Sequence, residues 1–468
     1  MNALTQLTAV QARAAIERGE VRVRELMEAY VQRVQAVNPR VNALVSTRLD
    51  HALEEAGRAD AQRQAGVRQG PLFGLPVAHK DSYLVRGVRT TFGSEAFRDF
   101  VPTQDSAVVA RQRAAGAIVL GKSNMPEFGA GSHTFNTLFG PTRNPYRLDV
   151  SAGGSSGGAA AALAAGMVAL ADGSDMGGSL RNPASFCNVV GLRPSLARVP
   201  MSPSSYGWNG VTVGGPMGRC VDDVALLFGV LAGSDPGDPL ALPADPQDAE
   251  RLPRRDPKGV RIAVSRDLGG LPVEPAVLAA LEEGVAYLRD MGCVVEEAEP
   301  DFTEADEAFE ILRALAFATN FGTLEPVRMA QVKETVRWNI DVGLTQTGAD
   351  VARAERIRSA MHARMRTLLE TYDFLVAPVS QVVPFDVESE YPTRIADADM
   401  PNYIAWMRSC SRLTMTGHPA ISVPCAFTPD GLPVGLQIVG RYRRERELLA
   451  FARAFEEACP AGRARPGL

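Results

Sequence analysis

Between residues 151 and 194 two clusters of glycine and serine bracket a run of alanine. The first reads Gly153-Gly154-Ser155-Ser156-Gly157-Gly158, the second Asp172-Gly173-Ser174-Asp175-Met176-Gly177-Gly178-Ser179. No other stretch limits the possible folds as strongly. The segment between them, residues 159–170, is rich in Ala and reads as one helix whose small side chains allow close packing on a sheet. Either cluster alone reads equally well as a flexible linker or an ordinary turn. With an ordered helix following at once, glycines at such a junction mark tight backbone geometry instead.

The flanking sequence says what that helix packs on. Residues 5–65 carry apolar side chains at helical spacing (Leu26, Tyr30, Val34, Val37) and predict two or three amphipathic helices in an outer layer. From residue 72 the texture changes to short apolar runs at 75–78, 117–120 and 189–192, broken by Gly and Pro, which predict buried strands with helices on both faces. Residues 233–259, rich in Pro, Asp and Gly, read as a loop or linker. Beyond it come a strand at 260–265, a helix at 275–291 and a strand at 293–298, a plausible crossover unit. Helices are expected across 305–372, strands at 374–378, 420–424 and 435–439, and a final helix at 445–457. The expectation is an α/β protein with a single domain over 1–468. Its parts are a helical layer (1–65), a core carrying the clusters (72–232), the loop (233–259), and the remaining strands with substrate-pocket helices (260–468).

Composition removes several classes of function. A net charge of −5 and a pI near 5.7 supply no basic surplus for nucleic acid or anionic lipid. Residues 1–10 lack the basic and apolar regions of a secretory leader, and residues 159–171 are too short and too weakly apolar to span a membrane. The six Cys form no CxxC pair and the five His no HExxH-like cluster, so neither a metal nor a cofactor is expected. The expected location is the cytoplasm.

Adjacent glycines before Ser179 let successive N–H groups point into one concavity, as an oxyanion hole requires. A nucleophilic serine also needs a base, and the scattered His residues offer no obvious triad. Lysine is the alternative. Only four of the 49 basic residues are Lys, namely Lys80, Lys122, Lys258 and Lys333, so the chain uses Arg wherever a permanent charge suffices. Arg cannot lose its proton in a protein, whereas a buried Lys can. Lys80 follows the run at 75–78, at a strand end where a side chain can enter a cleft, although an ordinary surface lysine fits that position too. A competing motif is Gly116-Ala117-Ile118-Val119-Leu120-Gly121-Lys122-Ser123, which fits GxxxxGK[ST]. Its four central residues read as a strand rather than a phosphate-binding loop.

The block at 151–194, SAGGSSGGAAAALAAGMVALADGSDMGGSLRNPASFCNVVGLRP, resembles the amidase signature family. Further matches lie at Gly74-Leu75-Pro76-Val77, Lys80-Asp81, Gly121-Lys122-Ser123-Asn124-Met125, Thr416-Gly417-His418-Pro419-Ala420 and Gly431-Leu432-Pro433-Val434-Gly435-Leu436-Gln437. The resemblance implies a single-domain α/β/α sandwich with a large twisted mixed sheet. It implies Lys80 as catalytic base, Ser155 as the relay serine in a cis peptide and Ser179 as nucleophile. Met176, Gly177, Gly178 and Ser179 would supply the oxyanion hole, and Ser156, Ser174, Asp175 and Arg181 the polar shell. Arg181 is expected to pair with Asp175, with a substrate carboxylate as its alternative partner. Ala426 and Met415 depart from the residues many members carry.

The expected activity is hydrolysis of an amide-type C–N bond, in an aryl or acyl amide or a carbamate, through an acyl-enzyme. The alternative is the catalytic subunit of a tRNA-dependent amidotransferase, and a remote one is nucleotide binding at residues 116–123. Met125, Phe128, Phe135, Trp338 and Trp406 are the expected substrate pocket. The expected partner is a small amide or carbamate substrate, without nucleic acid or membrane, in a monomer or homodimer.

Overall fold

Burial on both faces explains why the strand runs are continuously apolar instead of alternating. The computed structural model describes residues 2–67 and 69–468; Met1, in the stretch 1–10 read for a secretory leader, lies outside them. Eleven strands form one sheet. The first six are β1 (Leu44–Thr47), β2 (Pro76–Lys80), β3 (Ile118–Ser123), β4 (Leu170–Asp175), β5 (Val190–Arg193) and β6 (Val213–Gly218). The other five are β7 (Arg261–Val264), β8 (Val294–Glu297), β9 (Phe374–Pro378), β10 (Ala420–Phe427) and β11 (Pro433–Val439). Their spatial order is β1-β3-β2-β4-β6-β5-β10-β11-β9-β7-β8. The sheet is mixed: β3, β2 and β4 run parallel, β9, β7 and β8 run parallel, and the strands between them pair antiparallel.

Helices cover this sheet in an α/β arrangement. The N-terminal layer comprises Ala3–Gln6, Ala9–Arg18, Val23–Val41 and Leu49–Gln64, the second of them opened by a capping box between Thr8 and Gln11. The helix Pro275–Asp290 joins β7 to the parallel β8, the crossover its pattern predicts. The stretch 233–259 is irregular apart from a short 3-10 turn at Pro246–Ala249. The strands after it extend the same sheet that β1 to β6 begin.

Two elements differ from expectation. The Ala-rich helix covers only Gly157–Ala164, and Leu170–Asp175 is strand β4. Gly166 takes the left-handed conformation (φ 70°) that closes the helix, after which residues 169–171 enter the sheet centre, where Ala and Leu fit as well as they fit a helix. Strand β1, paired antiparallel to β3, lies inside a region read as wholly helical. Gly158 shows why glycine opens the Ala-rich helix: a Cβ there would lie 2.3 Å from Asn124 N and 2.6 Å from Ala43 O.

The nucleotide-loop reading is overturned. Residues 118–123 are strand β3, and Lys122 is wholly buried. Its Nζ donates to Tyr83 O (2.5 Å) and Thr90 Oγ1 (2.8 Å) and lies 3.4 Å from Asp81 Oδ1. The amine serves as a structural clamp and faces no phosphate site. Among the described residues no helix is long and apolar enough to cross a membrane, and no group of three His, Cys, Asp or Glu side chains could hold a metal.

Candidate active site

Strands β2 and β4 are parallel neighbours with Ala78 opposite Ala171, so both deliver their C-terminal ends to one edge of the sheet. Lys80 ends β2 and Asp175 ends β4. Lys80 is wholly buried, with Nζ 2.7 Å from Ser155 Oγ and 3.1 Å from Ser174 Oγ. Burial pushes its pKa down to about 7, against the opposing pull of Asp175 and Asp172. The amine is therefore available as a neutral base near neutral pH.

Under the strand ends lies a carboxylate that the sequence reading did not single out. Asp172 accepts the backbone N–H of Lys80 at 3.0 Å and the Gln112 amide at 2.7 Å, and its Oδ2 lies 2.6 Å from His79 Nδ1. All four residues are buried. The signal was present: His79 and Asp172 are polar side chains inside runs otherwise fit for a double-faced sheet.

The two Gly/Ser clusters meet at this edge. The Gly154–Ser155 peptide is cis. Gly154 N–H donates to Asn182 Oδ1 (3.1 Å) and Ser156 N–H donates to Ser179 O (3.2 Å), so the first cluster is tied to the second and to the helix Arg181–Phe186 that follows it. Ser174 Oγ stands beside the Lys80 amine, and Ser156 Oγ is 3.5 Å from Ser174 O. Gly178 has φ 113°, a region closed to most side chains, and a Cβ there would lie 2.6 Å from Cys410 Cβ.

Asp175 shapes the second turn. Its carboxylate accepts N–H groups from Gly178 (3.0 Å) and Leu180 (3.1 Å) and both arms of the Arg181 guanidinium (2.9 and 3.0 Å), with Arg193 at 3.3 Å. Burial alone would raise its pKa, but Arg181 and Arg193 hold it well below the usual carboxylate range. Arg181 is itself wholly buried and also donates to Gln437 Oε1 at 2.6 Å. Because Gly178 N–H is engaged by Asp175, Met176, Gly177 and Ser179 are the members of the expected oxyanion set whose N–H groups bond to none of the described residues. Breaking this cluster should be costly: Asp175→Asn leaves Arg181 short of its buried counter-charge, and chemical denaturation should record a loss of roughly 3 to 5 kcal/mol.

Ser155, Ser174 and Ser179 border a cavity of about 640 Å³. Of the expected pocket residues, Met125 and Phe128 line it and three do not. Trp406 is core, 1% exposed, with its ring edge-on to Phe385. Trp338 is 43% exposed and meets Tyr403 from outside. Phe135 packs on His133, under the Lys333 amine. The wall is instead built by Phe92, Phe97, Phe100, Phe317, Phe321 and Leu324, with Arg313 among them.

The amidase family profile matches residues 25–449. The chain belongs to that family. Membership makes this amidase an amide-hydrolysing enzyme. It is 36% identical to an acylamidase of Rhodococcus erythropolis over 98% of this chain and 97% of the relative. It is equally 36% identical to one subunit of the glutamyl-tRNA(Gln) amidotransferase of Moorella thermoacetica, over 99% of both. Among solved structures, a bacterial aryl acylamidase of the amidase signature family superposes with a TM-score of 0.91 at 27% identity, covering 98% of this chain and 97% of that one. A 6-aminohexanoate cyclic dimer hydrolase superposes with a TM-score of 0.87 at 28% identity, covering 99% of each.

Proposed function

We propose that the chain hydrolyses small amides or carbamates bearing an apolar or aryl group, with Ser179 as nucleophile, Ser155 as relay and Lys80 as base. The observation that carries this reading is the wholly buried Lys80 amine 2.7 Å from Ser155 Oγ, beside an aromatic cavity that Ser179 also borders. Neutral Lys80 takes the Ser155 hydroxyl proton while Ser155 takes that of Ser179, and Ser179 Oγ adds to the carbonyl carbon. The developing oxyanion is met by backbone N–H groups of the 176–179 turn that Asp175 leaves unengaged. As the C–N bond breaks, the proton returns through Ser155 to the departing amine, leaving an acyl-Ser179. Water, deprotonated through the same relay, releases the acid.

The whole chain is proposed to work as one domain, since strands from both sides of 233–259 share the sheet. It acts on a free small molecule in the cytoplasm, as a monomer or homodimer, without nucleic acid. The acidic charge balance supports the absence of nucleic acid, and the six apolar residues on the cavity wall support a small apolar substrate. A role within an amidotransferase assembly is the second reading, favoured by the 36% identity to such a protein.

A hydrolysis screen over aliphatic amides, anilides, carbamates and amino-acid amides separates the two. A phenyl ring that gives up about 100 Å² of surface to the cavity gains roughly 2.5 kcal/mol, about 70-fold. Anilides should therefore exceed acetamide and glutamine in kcat/KM by at least tenfold. Glutamine as the best amide, together with stoichiometric partner subunits in a pull-down, would overturn the hydrolase reading.

A further inference from the structure

Arg313 projects from the helix Ala305–Phe321 onto the cavity wall, yet it is only 3% exposed. Its NH2 donates to Tyr403 Oη at 2.8 Å, and that same oxygen also accepts from Asn339. NH1 reaches nothing better than Met176 Sδ, at 3.8 Å, and Nε has no hydrogen-bond partner among the described residues. The guanidinium lies 4.6 Å from the Phe317 ring centroid and 5.5 Å from that of Tyr403.

The other deeply buried guanidinium groups are treated differently. Arg181 and Arg193 share Asp175, and Arg198 meets Asp248 and Glu445. Arg219, without a carboxylate contact among the described residues, has the carbonyls of Thr5 and Leu7 and the hydroxyl of Tyr30. Arg313 forms no ion pair among the described residues, and no Asp or Glu lines the cavity. A buried charge is ordinarily paired, because aromatic faces alone do not replace the lost hydration. This cation is positioned and left unpaired at the edge of the space the substrate must enter, beside Met176 of the candidate oxyanion turn.

We propose that Arg313 is a specificity residue that pairs with a carboxylate on the substrate, so that the preferred amides are aryl or apolar amides bearing an anionic group. This rests on the amidase reading of the same cavity. A carboxylate supplies the planar pair of acceptors a guanidinium binds best, in a site where little water competes.

The experiment compares two carboxylates, 4-acetamidobenzoate with the charge on the amine side and N-phenylsuccinamate with it on the acyl side, each against its methyl ester. Binding is measured by calorimetry on the full chain carrying Ser179→Ala, and kcat/KM on the wild type. At least one carboxylate should bind the Ser179→Ala chain tenfold or more tighter than its ester, with the same preference in kcat/KM. Arg313→Gln should remove that preference, lowering the acid-to-ester ratio of kcat/KM at least tenfold through a raised KM for the acid. Two results would overturn the proposal: neither acid being favoured over its ester, or Arg313→Gln weakening acids and esters alike, as loss of a purely structural arginine would. Absence of turnover on every compound would strike the amidase reading, while the binding arm would still decide the carboxylate preference.

Discussion

Ser179→Ala should reduce turnover of any anilide the protein accepts by roughly 10⁴- to 10⁶-fold, the range lost when a serine hydrolase is deprived of its nucleophile. Two other hydroxyls approach the Lys80 amine, those of Ser155 and Ser174, and the Ser155 Oγ is at 2.7 Å. Proximity to the base alone would therefore favour Ser155. The reason to choose Ser179 is the turn around it, where Asp175 fixes Gly178 and Leu180 and leaves neighbouring N–H groups to receive an oxyanion close to the Ser179 side chain. Only an attacking oxygen held beside those donors profits from them. A fluorophosphonate probe should label Ser179 and no other serine, read by peptide mass spectrometry. Labelling at Ser155, or retention of more than about a hundredth of the activity in Ser179→Ala, would reverse the assignment. The variant deletes one hydroxyl from a residue 8% exposed, so its thermal midpoint should match the wild type and separate chemistry from folding.

Part of this site was legible in the residues because its parts are local. Ser155 and Ser179 stand in glycine clusters whose backbone demands are visible in sequence, and Lys80 stands out in a chain with three other lysines. Strand ends were harder to read. The run at 75–78 stops two residues before Lys80, and that at 117–120 stops three before Ser123, because hydropathy cannot foresee His79, Lys80 and Lys122 buried in partnered networks. The Ala-rich stretch was misassigned beyond Ala164 for a related reason: small apolar residues without periodicity suit a buried helix and a central strand alike, and tertiary position decides. The cavity wall was the least accessible part. Phe92, Phe97 and Phe100 reach it from a loop after β2 and Phe317 and Phe321 from a helix more than 200 residues later, and nothing local distinguishes them from the core residue Trp406.

Lys80→Arg should be nearly as damaging as loss of the nucleophile, by at least about 10³-fold in kcat, within what a positioned general base contributes. Arg keeps the charge but cannot give up a proton near neutrality, and its fork does not fit a space shaped for one amine between Ser155 and Ser174. Lys80→Met, uncharged and similar in length, should be equally inactive, so that loss of basicity and not of charge explains both. With the Lys80 pKa lowered to about 7, the neutral base gains population as pH rises, and wild-type kcat/KM should climb along an acid limb centred near pH 7 and level off above it. Stability gives an independent check with its own sign. Between the folded value of about 7 and the unfolded value of 10.5 the unfolded chain binds more protons at Lys80, so this group makes the fold more stable as pH rises through that window. The stability advantage of Lys80→Met over wild type in urea should accordingly be largest at pH 7 and shrink by pH 10. An acid limb centred near 10, or a stability difference constant across the window, would mean that Lys80 stays charged in the fold. Ser155 would then face an ammonium that could only donate, and the relay from Ser179 would need another base.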